Sequence, residues 1–228
     1  NIPNQPGWNV VSILPLAHMF GLTFEFLYQL AGGTHIYFLG RNPSPQILMK
    51  AFAEVHPYML LTVPLVVEKI FHKGIFPIIH KPLMRVLWYT PGISTFIRKK
   101  VHDQLMDKFG GKLQHLIIGG AALNHEVETC LRQINFCYTV GYGMTECGPI
   151  LAYEHWSKFA PRSCGKAVER MQVAIDSSNP NKNVGEIMVQ GDNVMLGYYK
   201  NEEATKAILN KEGWLRTGDL GLIDKEGT

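Results

Sequence analysis

Three short segments collect the residue types that phosphate and nucleotide chemistry uses. Gly141-Tyr142-Gly143-Met144-Thr145-Glu146 sets an aromatic ring between two glycines and follows it with a hydroxyl and a carboxylate. An aromatic face can stack on a base, a hydroxyl can reach a phosphate, and a carboxylate can hold Mg2+. The competing reading is a buried tyrosine beside a solvated glutamate. Gly119-Gly120-Ala121-Ala122 leaves the main chain nearly bare, which lets a planar or phosphorylated ligand approach it, although tight packing of a strand on a helix asks for the same small residues. Trp214-Leu215-Arg216-Thr217-Gly218-Asp219 ends in a carboxylate after a turn glycine. Such a carboxylate can accept two hydrogen bonds from a ribose diol, while an aspartate in a turn is often only a turn former. No GxxxxGK[ST] pattern occurs, and Gly141-x-Gly143 lacks the third glycine of a dinucleotide fingerprint.

The elements needed to hold these loops alternate between β-rich runs and helical periods up to about Tyr153, the pattern of an α/β layer with a mostly parallel sheet. Strands are expected at Val10 to Leu14, Tyr58 to Val63, Leu113 to Ile118 and Cys137 to Val140. Ser44 and Pro45 open a helix whose apolar residues Ile47, Leu48, Ala51, Phe52 and Val55 share one face. Pro64 opens another through Lys73, and Pro82 to about Phe109 carries two more, broken at Pro91-Gly92. Asn124 caps a helix over Glu126 to Gln133. If the strands before Gly119 and Gly141 are parallel neighbours, both glycine-rich loops open at one sheet edge, where α/β proteins bind ligands. After about Trp156 short strands separated by turn clusters predict a small antiparallel, barrel-like or sandwich-like region, with strands at Met171 to Ile175, Gly185 to Gln190, Trp214 to Arg216 and Gly221 to Asp224. The expected division is therefore an α/β subdomain over 1–155 and a β-rich subdomain over 156–228.

With 228 residues, 46% hydrophobic and 18% charged, the chain is long and apolar enough to bury a core, which excludes disorder. A net charge of +3, with basic residues scattered rather than forming a stripe, gives no support to a nucleic-acid surface. Cys130, Cys137, Cys147 and Cys164 form no CxxC pair, which fits reduced thiols in the cytoplasm. The nine histidines include no HExxH or HxH, so a protein-built metal cage is not expected. No apolar stretch reaches the roughly 20 residues of a bilayer span, and no leader for export is visible. Both ends read as cut, since the chain starts at Asn1 and stops inside a turn at Asp224 to Thr228.

The ordered segments LPLAHMFG (Leu14 to Gly21), GGAAL (Gly119 to Leu123), GYGMTE (Gly141 to Glu146), GEIMVQGDNVMLGYYKNEEAT (Gly185 to Thr205) and GWLRTGDLG (Gly213 to Gly221) together resemble the acyl-adenylate-forming, AMP-binding superfamily, also called ANL, over nearly the whole chain. Within it the chain is most similar to long-chain fatty acyl-CoA synthetases, through TVPLVVEKIF (Thr62 to Phe71) and GGAALNHEVE (Gly119 to Glu128). The resemblance implies part of that fold's N-terminal domain and an acid–thiol ligase that uses ATP, Mg2+ and CoA on a carboxylate, with a long-chain fatty acid as the expected substrate.

Carried over residue by residue, the resemblance implies that Gly119, Gly120 and Ala121 border the adenine and that Tyr142, between Gly141 and Gly143, stacks on it. Thr145 would bond the α-phosphate, Glu146 would hold Mg2+, Asp219 would bind the ribose hydroxyls, and His18 would sit by the acyl carboxylate. A structural role stays open for His18, as packing does for Trp156 and Trp214. The family's upstream phosphate loop, the arginine beyond Asp219 and the carboxyl-terminal lysine have no counterparts in residues 1–228, so this chain alone is expected not to turn over. Cys147 stands where Thr or Ser is common, a change a thiol of similar size tolerates. Two alternatives are delivery of the acyl group to a carrier protein and, for the isolated chain, nucleotide binding without turnover. Peripheral contact with the inner membrane face suits a greasy substrate, although no lysine-rich amphipathic helix demands it.

Overall fold

Five short strands build one parallel sheet, and after each of the first four a turn or helix carries the chain back to it. The computed structural model describes residues 2, 4–40 and 43–228, and two units are distinguished, Ile2–Val140 and Gly141–Thr228. In the first unit, in chain order, lie β1 (Asn9–Ser12), α1 (Tyr28–Ala31), β2 (His35–Phe38), α2 (Pro45–Val55), β3 (Met59–Thr62), α3 (Pro64–Ile70), α4 (Phe76–Ile79), α5 (Pro82–Tyr89), α6 (Ile93–Lys108), β4 (His115–Ile118), α7 (His125–Gln133) and β5 (Tyr138–Val140). The sheet order is β2-β1-β3-β4-β5, and every pairing is parallel. Strands β3, β4 and β5 are buried at every residue, as expected for parallel strands covered on both faces. Phe52, Phe71, Leu105, Phe109 and Leu131 complete that core without measurable exposure.

The helix signals act locally as the sequence suggests. The Ser44 hydroxyl accepts from the Ile47 amide at 3.3 Å, Pro45 occupies the first turn, and Leu48 and Phe52 are buried. That helix ends where His56 turns left-handed at φ 51°, and the His56 ring donates to the Gly110 carbonyl at 2.6 Å. The helix expected from Pro64 to Lys73 is instead α3 followed by a wider π-helical stretch, Phe71–Ile75. A second π-helical stretch, Gly21–Leu27, leads into α1. It carries Glu25, whose buried carboxylate accepts from the Ser12 hydroxyl (2.9 Å) and the Ile13 (3.0 Å) and Leu14 (2.9 Å) amides, bracing the chain as it leaves β1.

Asn124 caps α7 by accepting from the Glu126 (2.9 Å) and Val127 (3.3 Å) amides. Asn124→Ala leaves both donors to water and should cost about 1 kcal/mol, the usual worth of such a cap. Urea unfolding of the variant checks this, and an unchanged midpoint would remove the cap from the account of this turn.

The second unit holds β6 (Ala152–Tyr153), β7 (Lys166–Ala167), β8 (Met171–Asp176), β9 (Gly185–Gly191), α8 (Glu202–Ile208) and β10 (Leu215–Gly221). Three strands form an antiparallel sheet in the order β10-β9-β8, and β6 pairs with β7. Cys147, Leu151, Met171, Val189 and Leu215 make its core. Two of the expected strands, Trp214 to Arg216 and Gly221 to Asp224, are in fact one strand with an interruption, and Leu222 onward leaves the ladder. Helix α8 was not anticipated. It buries none of its residues, so it lacks the apolar period that reveals a helix, but Asn201 followed by Glu202 and Glu203 is a legible start, and the Asn201 side chain accepts from the Ala204 amide at 3.0 Å.

Candidate functional site

In the first unit the sheet aligns the ends of its last two strands. Ile118 of β4 stands opposite Val140 of β5, so the segments that begin at Gly119 and Gly141 leave the sheet at the same edge. Gly119 is anchored by its amide, which donates to the Thr62 carbonyl at 3.0 Å. A methyl group there would stand 3.0 Å from the Phe20 ring, so a side chain would push against the LPLAHMFG segment. Gly120 has φ +85°, a conformation that favours glycine. His18, exposed, accepts from the Phe20 amide through Nδ1 at 3.2 Å, which puts the proton of a neutral ring on Nε2. Phe20 thus ties the His18 segment to the Gly119 turn, and the structure brings these two predicted features together.

In the second unit the predicted residues gather around one loop. Tyr142 is fixed through its main chain to Leu151 and Ala152, and its ring packs against the small core. Its hydroxyl donates to Asp219 Oδ2 at 2.7 Å. Burial and then the neighbouring carboxylate push that hydroxyl well above the usual tyrosine range, so it stays a donor. Tyr142 packs as a half-buried tyrosine, the bland reading made of it, and presents a polar tip to Asp219. A side chain at Gly143 would run into the Pro149 carbonyl, so only glycine fits there. Thr145 opens a short helical turn, Thr145–Cys147, and is exposed. Glu146 accepts from the Tyr198 hydroxyl at 2.8 Å, and its carbonyl accepts from the Met195 amide at 2.8 Å. Cys147 is fully buried, and burial lifts its thiol to about 11, so it is a packing residue and an inert thiol.

Asp219 owes its display to an irregularity in β10. Arg216 pairs with Met188 and Leu220 with Glu186, so three residues of β10 stand opposite Ile187 alone, and Thr217, Gly218 and Asp219 bow out of the ladder. The bow is built, not slack. The Thr217 hydroxyl donates to the Ile187 carbonyl (2.9 Å) and accepts from the Asp219 amide (3.1 Å), and the Gly218 amide donates to Glu186 Oε1 (3.0 Å). Arg216 bridges Glu186 and Asp176 at 2.8 Å each and so ties all three strands beneath the bow. Glu186 and Tyr198 are positioning residues to which sequence reasoning assigned no part. Both lie in the GEIMVQGDNVMLGYYKNEEAT segment, and Glu186, next to Gly185 at the start of a strand, was the available signal.

The described residues contain no group of three His, Cys, Asp or Glu able to hold a metal on their own. A single carboxylate such as Glu146 still suits Mg2+, which takes one or two protein carboxylates and completes its shell with water and substrate phosphates.

A family model described as AMP-binding enzyme matches residues 3–199. Among curated proteins, the chain is 28% identical to a probable 4-coumarate–CoA ligase 3 from Dictyostelium discoideum, over 96% of the chain and 36% of that protein. It is 31% identical to long-chain-fatty-acid–CoA ligase 5 from Rattus norvegicus, over 96% of the chain and 34% of that protein. It therefore spans about a third of the length of these relatives. Among solved structures, o-succinylbenzoate coenzyme A synthetase from Bacillus subtilis, in complex with ATP and magnesium ion, superposes with a TM-score of 0.68 at 22% identity, covering 96% of the chain and 40% of that structure. The parallel sheet with its helices and the small antiparallel sheet are those of this fold.

Proposed function

The chain belongs to the AMP-binding enzyme family, and from that premise we propose that it supplies part of the adenylate site of an acid–thiol ligase acting on a long-chain fatty acid. The reaction has two steps. A carboxylate oxygen attacks the α-phosphorus of ATP and pyrophosphate leaves; a thiolate of CoA then attacks the acyl carbon and AMP leaves. Catalysis of the first step asks for positioning and for charge stabilisation at phosphorus.

The observation that carries this reading is the Asp219 bow with its bond to Tyr142. It holds a tyrosine and an exposed carboxylate side by side, the residue types that suit the base and the ribose diol of an adenosine. In the second unit Tyr142, between Gly141 and Gly143, would take the base; in the first unit Gly119, Gly120 and Ala121 would border a nucleotide with bare main chain. Thr145 would donate to the α-phosphate. His18 would orient the acyl carboxylate. Glu146 and its partner Tyr198 suit a Mg2+ ion that neutralises phosphate charge when bound. The free cysteines, with Cys130, Cys137 and Cys147 buried and Cys164 exposed, favour the cytoplasm.

ATP–pyrophosphate exchange in the full-length protein, with carboxylates from short to long chain plus 4-coumarate, tests the proposal. Exchange should rise with chain length, and adding CoA should give the thioester. Exchange with 4-coumarate alone would overturn the long-chain assignment, acyl transfer to a carrier protein but not to CoA would overturn the acceptor, and no exchange with any acid would overturn the ligase reading.

A further inference from the structure

Glu25 has no measurable exposure and stands in a segment, Phe20 to Leu27, whose other residues except Thr23 are apolar or glycine. An apolar side chain would fill that space without the cost of burying a carboxyl group, so the group is explained by the donors it holds. Three converge on one oxygen: Oε2 accepts from the Ser12 hydroxyl (2.9 Å) and the Ile13 (3.0 Å) and Leu14 (2.9 Å) amides, while Oε1 makes a longer bond, 3.2 Å, with the Ile13 amide. Ser12 ends β1, and Ile13 and Leu14 are the first residues beyond it.

Those two residues begin the loop that carries His18, and the loop is closed on itself. The His18 amide donates to the Pro15 carbonyl and the Leu22 amide to the His18 carbonyl, both at 3.0 Å. The Phe20 amide donates to His18 Nδ1 at 3.2 Å. Gly21 returns so close to Pro15 that a methyl group on it would stand 2.5 Å from the Pro15 carbonyl oxygen. The outgoing foot of the loop is thus held by the Glu25 carboxylate, and the returning foot runs into the π-helical stretch Gly21–Leu27 that carries Glu25. Widened helical turns of this kind are frequent at functional sites.

We propose that Glu25 is a positioning residue for adenylate formation: by joining the two feet of the Leu14–Gly21 loop it holds the His18 imidazole where the acyl carboxylate is to be oriented, a role that rests on the ligase reading of His18 given above. Without the carboxyl group, two main-chain amides and a hydroxyl are left buried and unpaired, and the loop is free to shift to find other acceptors. A shift of about 1 Å in a group that orients a substrate is enough to cost about 10²-fold in rate.

ATP–pyrophosphate exchange in the full-length protein tests this, with ATP and the acid that exchanges best varied in turn and each variant assayed below its thermal midpoint. Glu25→Ala should lower kcat/KM for the acid by about 10²-fold while KM for ATP is unchanged. Glu25→Gln, with its oxygen in the Oε2 position, keeps all three short bonds and should restore most of that loss. Ser12→Ala removes one bond and leaves both amides paired, so it should act in the same direction by a smaller factor, and it carries the comparison if Glu25→Ala does not fold. Either loss should largely vanish in a His18→Ala background, because residues that act through one another are not additive, whereas a merely structural brace would cost the same with or without the imidazole. Parental kinetics in a folded Glu25→Ala or, failing that, in Ser12→Ala would overturn the inference and leave the role of His18 standing, as would equal losses for acid and ATP or an undiminished loss in the His18→Ala background. Parental kinetics in His18→Ala itself would overturn that role, and the inference with it.

Discussion

Glu146→Gln in the full-length protein should lower ATP–pyrophosphate exchange by about 10²-fold or more, the loss that follows removal of one preorganised charge-stabilising group. Stability should hardly change. Glu146 makes its side-chain bond with the Tyr198 hydroxyl, and a glutamine oxygen at the same position can accept that bond, so the fold gives up only the difference between a charged and a neutral acceptor. Its carbonyl contact with the Met195 amide is untouched by the change. The variant therefore separates charge from shape. Exchange is to be measured across a Mg2+ series beside a thermal melt, and wild-type exchange at limiting Mg2+ would remove the metal role from Glu146.

The second large effect is one of pH. Glu25 is enclosed, and burial raises its carboxyl from 4.5 to about 7 against the opposing pull of its bonds from Leu14, Ile13 and Ser12. A folded chain that holds this proton more tightly than the unfolded chain gains stability that is fully present below pH 4.5 and lost as pH rises through about 7. The shift corresponds to about 3 kcal/mol between those limits. Glu25→Gln keeps an oxygen for the Ser12, Ile13 and Leu14 donors but cannot ionise, so its stability should fall less than that of the parent between pH 4.5 and 8. Urea unfolding at both pH values, parent against variant, gives the difference directly, and parallel slopes would show that Glu25 is not the group responsible.

The sequence is explicit where local chemistry and burial agree. Strands β3, β4 and β5 could be read because residues buried on both faces leave unbroken apolar runs, and α2 and α7 because Ser44 and Asn124 perform their capping as isolated side chains. Edge strand β2 carries an apolar run too, Ile36 to Leu39, but three of its four residues are exposed, so there local composition and burial part company. The π-helical stretches escape pattern reading because widening a turn changes which residues share a face without changing which are apolar. For the candidate site, Tyr142, Glu146 and Asp219 stand out by type. Their supports do not: Glu186 and Tyr198 matter because strands and turns far apart in sequence bring them to Gly218 and Glu146. Glu25 is the strongest case, a carboxylate in a mostly apolar stretch whose purpose becomes visible only when Ser12, Ile13 and Leu14 are seen around it.

The bow in β10 has a further consequence, which lies in its parity. Between Arg216 and Leu220 the strand advances four positions while β9 advances two, so the excursion adds an even number of residues. Side chains alternate faces with a period of two, so an odd excess would turn every later residue of β10 inside out, while an even excess leaves inward and outward positions as they were. Leu215 stays in the core and Gly221 stays opposite Gly185 as though the excursion were not there. A sheet can thus acquire, lengthen or lose a projecting carboxylate in steps of two residues without repacking its interior.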